Sequence, residues 1–146
     1  MAITSAICNS FKQEILEAEH NFTASSGNTF NLALYTSSAT LNKSTTAYSS
    51  SNEISNTSGS AYSAKGKALT SVTPTLDSDT AICDFANISW TSASFTANGC
   101  LIFNDSHSSD AAVCAIAFGG DKTVTSGTFT IEFPAAAAST AIIQIA

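Results

Sequence analysis

Catalysis and metal binding both need several polar groups converging on one point. The side chains of this chain best suited to that are two histidines, four cysteines and a scatter of carboxylates. His20 falls at the end of a predicted helix, where a cation suits the helix dipole, and His107 lies in the polar turn 104–107. Neither has in sequence the companions of a catalytic triad or a zinc site, so both read as surface histidines. Asp77 and Asp79, with Asp84 nearby, offer oxygens of the kind calcium prefers. The Asp-x-Asp-x-Asp-Gly loop and its downstream bidentate Glu are missing, so these carboxylates read as turn caps. Gly119-Gly120 lacks the Gly-Lys-Ser/Thr of a phosphate loop, and no Gly-x-Ser-x-Gly nucleophile elbow occurs. The paired threonines Thr123/Thr125 and Thr128/Thr130 could start an ice-binding face, but no repeat extends them. No enzymatic activity, metal or cofactor is expected.

Two residue classes remain. Cys8, Cys83, Cys100 and Cys114 are widely spaced, form no C-x-x-C pair and follow no secretory signal, so they are expected to be small buried apolar residues rather than disulfides. The sequons at Asn21, Asn42, Asn56, Asn87 and Asn104 follow from Asn/Ser/Thr richness and imply no glycosylation. Tyr35, Tyr48, Tyr62 and Trp90 could stack on sugar rings if exposed together. Trp90 and the phenylalanines are more simply core, which leaves Tyr48 and Tyr62, flanking a long polar stretch, as the better contact candidates.

The bulk composition narrows the partners. Charged residues make up only 11% of the chain, net charge is −6, and the five positive charges are all Lys. Arg is the preferred fork for phosphate and base edges, so its absence argues against nucleic-acid recognition. More than a quarter of the residues are Ser or Thr, which solubilise without charge and leave little like-charge repulsion between densely placed copies. No apolar stretch reaches membrane-spanning length, and the opening residues lack the basic and apolar regions of a signal peptide.

The elements that must position these residues are legible as two patterns within one domain spanning residues 1–146. Ile7, Phe11, Ile15, Ala18 and Phe22 recur at helical spacing, with Thr4 or Ser5 as the cap and a stop near His20-Asn21. This segment, residues 1–22, is either a helix laid on its own domain or an arm docked on a neighbouring subunit. From Phe30 to Thr36 the period becomes two. Residues 37–60 form a long polar loop, with Leu41, Tyr48 and Ile54 as anchors and strand pieces at Thr45–Tyr48 and Glu53–Ser55 expected to form a surface hairpin. Further strands are expected at 61–64, 67–73, 81–90, 94–97, 101–104, 111–118, 128–133 and 141–145. Pro74 and Asp77-Ser78-Asp79 break the chain, Asn98-Gly99 is a hairpin turn or a glycine bulge, and Gly119-Gly120 is a further turn. Many short strands at regular spacing predict a mainly β fold over 30–146, an antiparallel β-sandwich or jelly-roll-like domain with one N-terminal α-helix.

Several stretches together resemble a family of small virion structural proteins of tailed bacteriophages, including phages of cyanobacteria. They are Ser10-Phe-Lys-Gln-Glu-Ile-Leu16, Phe30-Asn-Leu-Ala-Leu-Tyr-Thr-Ser-Ser-Ala-Thr-Leu41, Thr45-Thr-Ala-Tyr48 and Asn52-Glu-Ile54. Downstream they are Asp84-Phe85 to Trp90, Gly99-Cys-Leu-Ile-Phe-Asn104, Phe118-Gly-Gly-Asp-Lys-Thr123, and Phe129-Thr-Ile-Glu-Phe-Pro134 with the Ile142-Ile143 tail. The likeness spans nearly the whole chain. It departs at Asn98, where the family pattern favours a basic residue before the glycine, which puts any charge contact there in doubt.

The resemblance implies a non-enzymatic particle component. An acidic, Arg-free surface would be repelled by packaged DNA, which favours the outside of the shell. The expected role is therefore a capsid decoration (cement) protein, a homo-oligomer, trimer favoured, bound to the major capsid protein or other virion proteins. Partner contacts are expected from Ile7, Phe11, Ile15, Leu41, Tyr48, Ile54 and Tyr62. The alternatives are a tail, neck or fibre module, and a carbohydrate-binding adhesion domain.

Overall fold

The computed structural model describes residues 1–55 and 58–146; the sequon at Asn56 lies outside the described residues. The fold is mainly β, two antiparallel sheets with one short N-terminal helix, in agreement with the expected class. Its elements are β1 (Ala6–Ile7), α1 (Asn9–Leu16), β2 (Phe30–Tyr35), β3 (Lys67–Ala68), β4 (Ser71–Asp77), β5 (Thr80–Phe85), β6 (Ile88–Asn104), β7 (Ala111–Ile131) and β8 (Ile143–Ile145). The larger sheet has the order β1-β7-β6-β2-β3 and the smaller the order β4-β5-β8.

The helix is half as long as its apolar stripe. Cys8, extended at φ −68° and ψ 141°, precedes it without a side-chain cap, and Ile7 is already spent pairing with Cys114 in β1. At the other end Ala18 turns left-handed (φ 62°), Glu19 N–H donates to Glu14 C=O at 3.0 Å and Ala18 N–H to Ile15 C=O at 3.3 Å. That pair of bonds is a Schellman closure, which satisfies carbonyls the helix end would leave open. The chain then doubles back, and Phe22 enters the core from a loop, stacked on Phe30 at 4.2 Å and nearly parallel. Phe85 of the smaller sheet lies 6.1 Å from Phe30 of the larger, so this aromatic group joins the two layers. Burying each ring contributes about 2–3 kcal/mol of apolar transfer, which the uncapped two-turn helix could not supply by propensity.

Several expected boundaries move. The stretch expected as one strand over 81–90 divides at Ala86-Asn87, and the chain passes there from the smaller sheet to the larger. Pro74 does not end a strand. It sits inside β4 where the register with β5 shifts between Val72 and Thr75, on an edge strand that needs no further ladder donor. Asn98-Gly99 is not a hairpin turn: β6 runs straight through it, and the bulge lies in the strand opposite. Opposite, Gly119 (φ 75°) and Gly120 (φ 143°) lie within β7, which crowds residues 118–121 against Asn98 alone. The Asn98 side-chain amide donates to Asp121 Oδ1 at 2.8 Å and pins the distortion. The expected hairpin of 45–48 with 53–55 does not form either. Ala47 bridges to Ala111 and Glu53 to Tyr35, so the loop is strapped to two different strands, and Leu41 makes a parallel bridge with Ile3. Residues 61–64 form no strand.

Candidate interaction surface

The best-ordered polar chemistry is a carboxylate held between two phenols. Tyr48 and Tyr62 donate their hydroxyls to Glu53 Oε2 and Oε1 at 2.6 and 2.7 Å, and the Tyr62 oxygen accepts the Leu34 N–H at 2.9 Å. Tyr62 is 1% exposed, and burial together with the Glu53 hydrogen bond pushes its phenol far above the ordinary range. Tyr48 is pushed up to about 12 by burial and by the Glu53 bond. Its ring stacks on Phe103 at 4.8 Å, and the Lys65 ammonium sits 5.8 Å from its centre. Lys65 itself bridges Asp105 (3.0 Å) and Asp110 (2.8 Å), and both hydrogen bonds raise its pKa. These groups staple the long loop and the β6–β7 connection to β2. They leave no second face of Tyr62 on which a sugar ring could stack.

The other predicted contact residues are likewise used inside the chain. Phe11, Leu41 and Ile54 are buried, while Ile7 and Ile15 are half-buried and packed against the same core. The helix stripe therefore lies on its own domain.

His20 is a correction of a different kind. Expected at the surface, its side chain is fully buried. Asn104 Oδ1 accepts the Ser106 N–H at 3.0 Å, which turns the Asn104 amide nitrogen toward His20 Nδ1 at 3.1 Å. His20 Nδ1 is then the acceptor, and its Nε2–H donates to Glu14 Oε2 at 2.7 Å. His107 stacks on it at 6.2 Å and approaches Glu19 at 3.3 Å. This arrangement anchors the segment after α1; the pairing of residues 84 apart has no sequence signal. Among the described residues no group of three or more His, Cys, Asp or Glu could hold a metal ion, and no helix is long and apolar enough to cross a membrane. The four cysteines are free and buried. Burial pushes Cys8 up to about 11 and Cys83 and Cys114 up to about 12, so their thiols stay protonated.

What the fold presents outward is a ribbon. β2 covers β6 only from Gly99 to Asn104, and β1 covers β7 only at Cys114 and Ala115. Beyond them β6 and β7 continue together as two strands for roughly 30 Å, at about 3.3 Å per residue. One face carries Trp90, Phe95 and Phe129, with Phe95 and Phe129 5.0 Å apart and Tyr62 backing Trp90 at 6.1 Å. The other carries hydroxyls: Ser89 meets Thr130 and Thr96 meets Thr123, each at 2.8 Å. Residues 88–97 and 123–131 contain no charged side chain, and Thr91, Thr125 and Thr128 are exposed. The Lys67 ammonium caps one end, over the Trp90 ring at 5.6 Å and bonded to the Ser89 carbonyl; the rest is a hydroxyl-coated ribbon with an open β7 edge, a surface for contact by backbone pairing and shape.

No family model, curated protein or solved structure matches the chain.

Proposed function

We propose that this chain is a non-enzymatic structural protein of a tailed-bacteriophage virion, a decoration protein that binds the outside of the shell and stabilises it. The observation that carries the reading is the β6–β7 ribbon, which is uncharged over residues 88–97 and 123–131 in a chain of net charge −6. A projecting edge of this kind can lie against a repeated surface at high copy density, while the acidic remainder disfavours contact with packaged DNA. The phage assignment rests on the resemblance carried by segments such as Gly99–Asn104 and Phe129–Pro134. The fixed polar groups support a structural role, because buried His20, half-buried Glu53 and the partly exposed Lys65 are all engaged in holding the fold. Burial of Tyr62 and Trp90 weighs against sugar stacking.

A ligand that binds only the assembled shell must stabilise it by mass action, and each copy that bridges two capsomers adds to that effect. Adding the purified protein to shells that lack it should therefore raise the shell's melting temperature until the sites saturate. An unchanged melting temperature at saturating protein would contradict the decoration role.

A further inference from the structure

The β6–β7 ribbon carries an apolar groove with a cation in its wall. Gly119 and Gly120 distort β7, and Phe118 beside them lies 6.2 Å from Phe129. Half-buried Phe118, Phe129 and Ile131, with exposed Thr130 and Lys122, line an open groove of about 400 Å³. Three of the other four lysines are engaged: Lys65 with Asp105 and Asp110, Lys67 with the Ser89 carbonyl, and Lys12 with Asn9. Lys122 makes no ion pair among the described residues. Three apolar side chains and one unpaired ammonium select an occupant with an apolar side chain next to negative charge.

The chain itself carries such a knob. Leu16, the last residue of α1, is 88% exposed, so its own fold leaves it uncovered. The open carbonyls at that helix end bear partial negative charge. Exposed Glu17 follows directly, with one carboxylate oxygen accepting the Gln13 amide at 2.9 Å, whereas Glu14 is turned to His20. The other strongly exposed aliphatics, Leu76 and Ile145, lie in the flat cross-strand row Leu76–Ala81–Ile145, and Asp77 beside Leu76 is held by the Ala138 N–H at 2.7 Å. We propose that the ribbon groove takes Leu16 of a second copy of this chain, with Lys122 meeting Glu17 and the carbonyl end of α1. The contact is heterologous, knob of one copy into groove of the next, so it closes into a ring or runs on as a filament. A ring of three would be the trimer expected from the family resemblance. The inference rests on these residues and holds whatever particle the chain serves.

Sedimentation velocity on the full chain, from about 5 to 500 μM, reads the association. The parent should form oligomers. L16N and K122E alter exposed positions, so each should keep the parent's melting temperature and weaken assembly at least about ten-fold. Exchanging the charges within one chain, K122E/E17K, should restore assembly. An equimolar mixture of the L16N and K122E chains should stop at a heterodimer, because one intact knob and one intact groove remain between them. A parent that stays monomeric, an oligomer that survives both single variants, or a K122E/E17K chain that stays dissociated would overturn the proposal. So would a monomeric parent that binds a synthetic leucine peptide flanked by glutamates and loses it in K122E, because the occupant would then be another protein.

Discussion

Replacing Tyr62 by Phe removes one oxygen atom and keeps the ring, so its effect reports the hydrogen bonds alone. That oxygen donates to the Glu53 carboxylate at 2.7 Å and accepts the Leu34 N–H at 2.9 Å, in a residue 1% exposed. Losing a hydrogen bond to a charged group costs about 1.5–3 kcal/mol, and leaving the Leu34 N–H buried without a partner costs about 1–3 kcal/mol. The two overlap because the same site relaxes, so a combined loss of about 3 kcal/mol is expected. For a domain of this size each kcal/mol moves the melting temperature by about 2–4 °C, giving a fall of roughly 6–12 °C. Urea unfolding should show the midpoint lowered with an unchanged m-value. Tyr48→Phe is the comparison: its hydroxyl makes one bond to Glu53 from a half-buried ring, and the stack on Phe103 survives, so about 1 kcal/mol is expected. A Tyr62→Phe chain within about 0.5 kcal/mol of the parent, below the net worth of an ordinary hydrogen bond, would refute the reasoning. The same geometry warns that Tyr62→Ala would empty a core site, so lost glycan binding in that variant would report unfolding.

Asp84 is 2% exposed with one carboxylate oxygen unpartnered, and burial raises its pKa. Its stabilising contribution is thus full below the ordinary carboxylate pKa and is lost as pH rises through the folded value; Asp84→Asn should be more stable than the parent at pH 7 and show less loss of stability between pH 4 and 7 in urea titrations. Ala18 closes α1 at φ 62°, a conformation that costs an L-residue about 1–2 kcal/mol, so Ala18→Gly should raise stability by about 0.5–1 kcal/mol in the same assay. At Gly66 (φ 68°) an added Cβ would collide with the Leu32 backbone carbonyl, so Gly66→Ala should yield no folded protein by circular dichroism. Gly119→Ala meets open space and should cost only the left-handed penalty of about 1–2 kcal/mol. A thiol-reactive dye should label none of the four cysteines at pH 8 in the native chain and all four in urea; rapid native labelling would contradict their burial.

The β-rich class was readable because strand patterning is local: Phe30–Tyr35 alternates, and Asn and Gly punctuate the rest. Asn98-Gly99 shows the limit, since a two-residue turn and a continuous strand facing a bulge share that sequence. Which forms depends on residues 118–121 bulging opposite, 20 residues away. The helix stripe from Ile7 to Phe22 had the right period but the wrong extent, because β pairing took Ile7 and the Schellman closure at Ala18 let Phe22 reach Phe30. Tyr48 and Tyr62 drew notice as aromatics beside a polar loop; their bond to Glu53 runs through that loop and has no spacing rule. His20 was misjudged for the same reason, as its partner Asn104 comes from the far end of the larger sheet's central strand. The exposed Leu76–Ala81–Ile145 row needed the pairing of three strands, so no single segment announced it.

The proposed decoration role requires this chain to be a shell-binding component present in many copies. Quantitative mass spectrometry of purified particles, with the major shell protein as the reference, tests it directly. Copies by the hundred are expected, in a simple ratio to the shell protein, as repeated coverage of local symmetry axes requires. A count near a dozen would place the protein in the tail or neck, and its absence from the particles would contradict the virion role altogether.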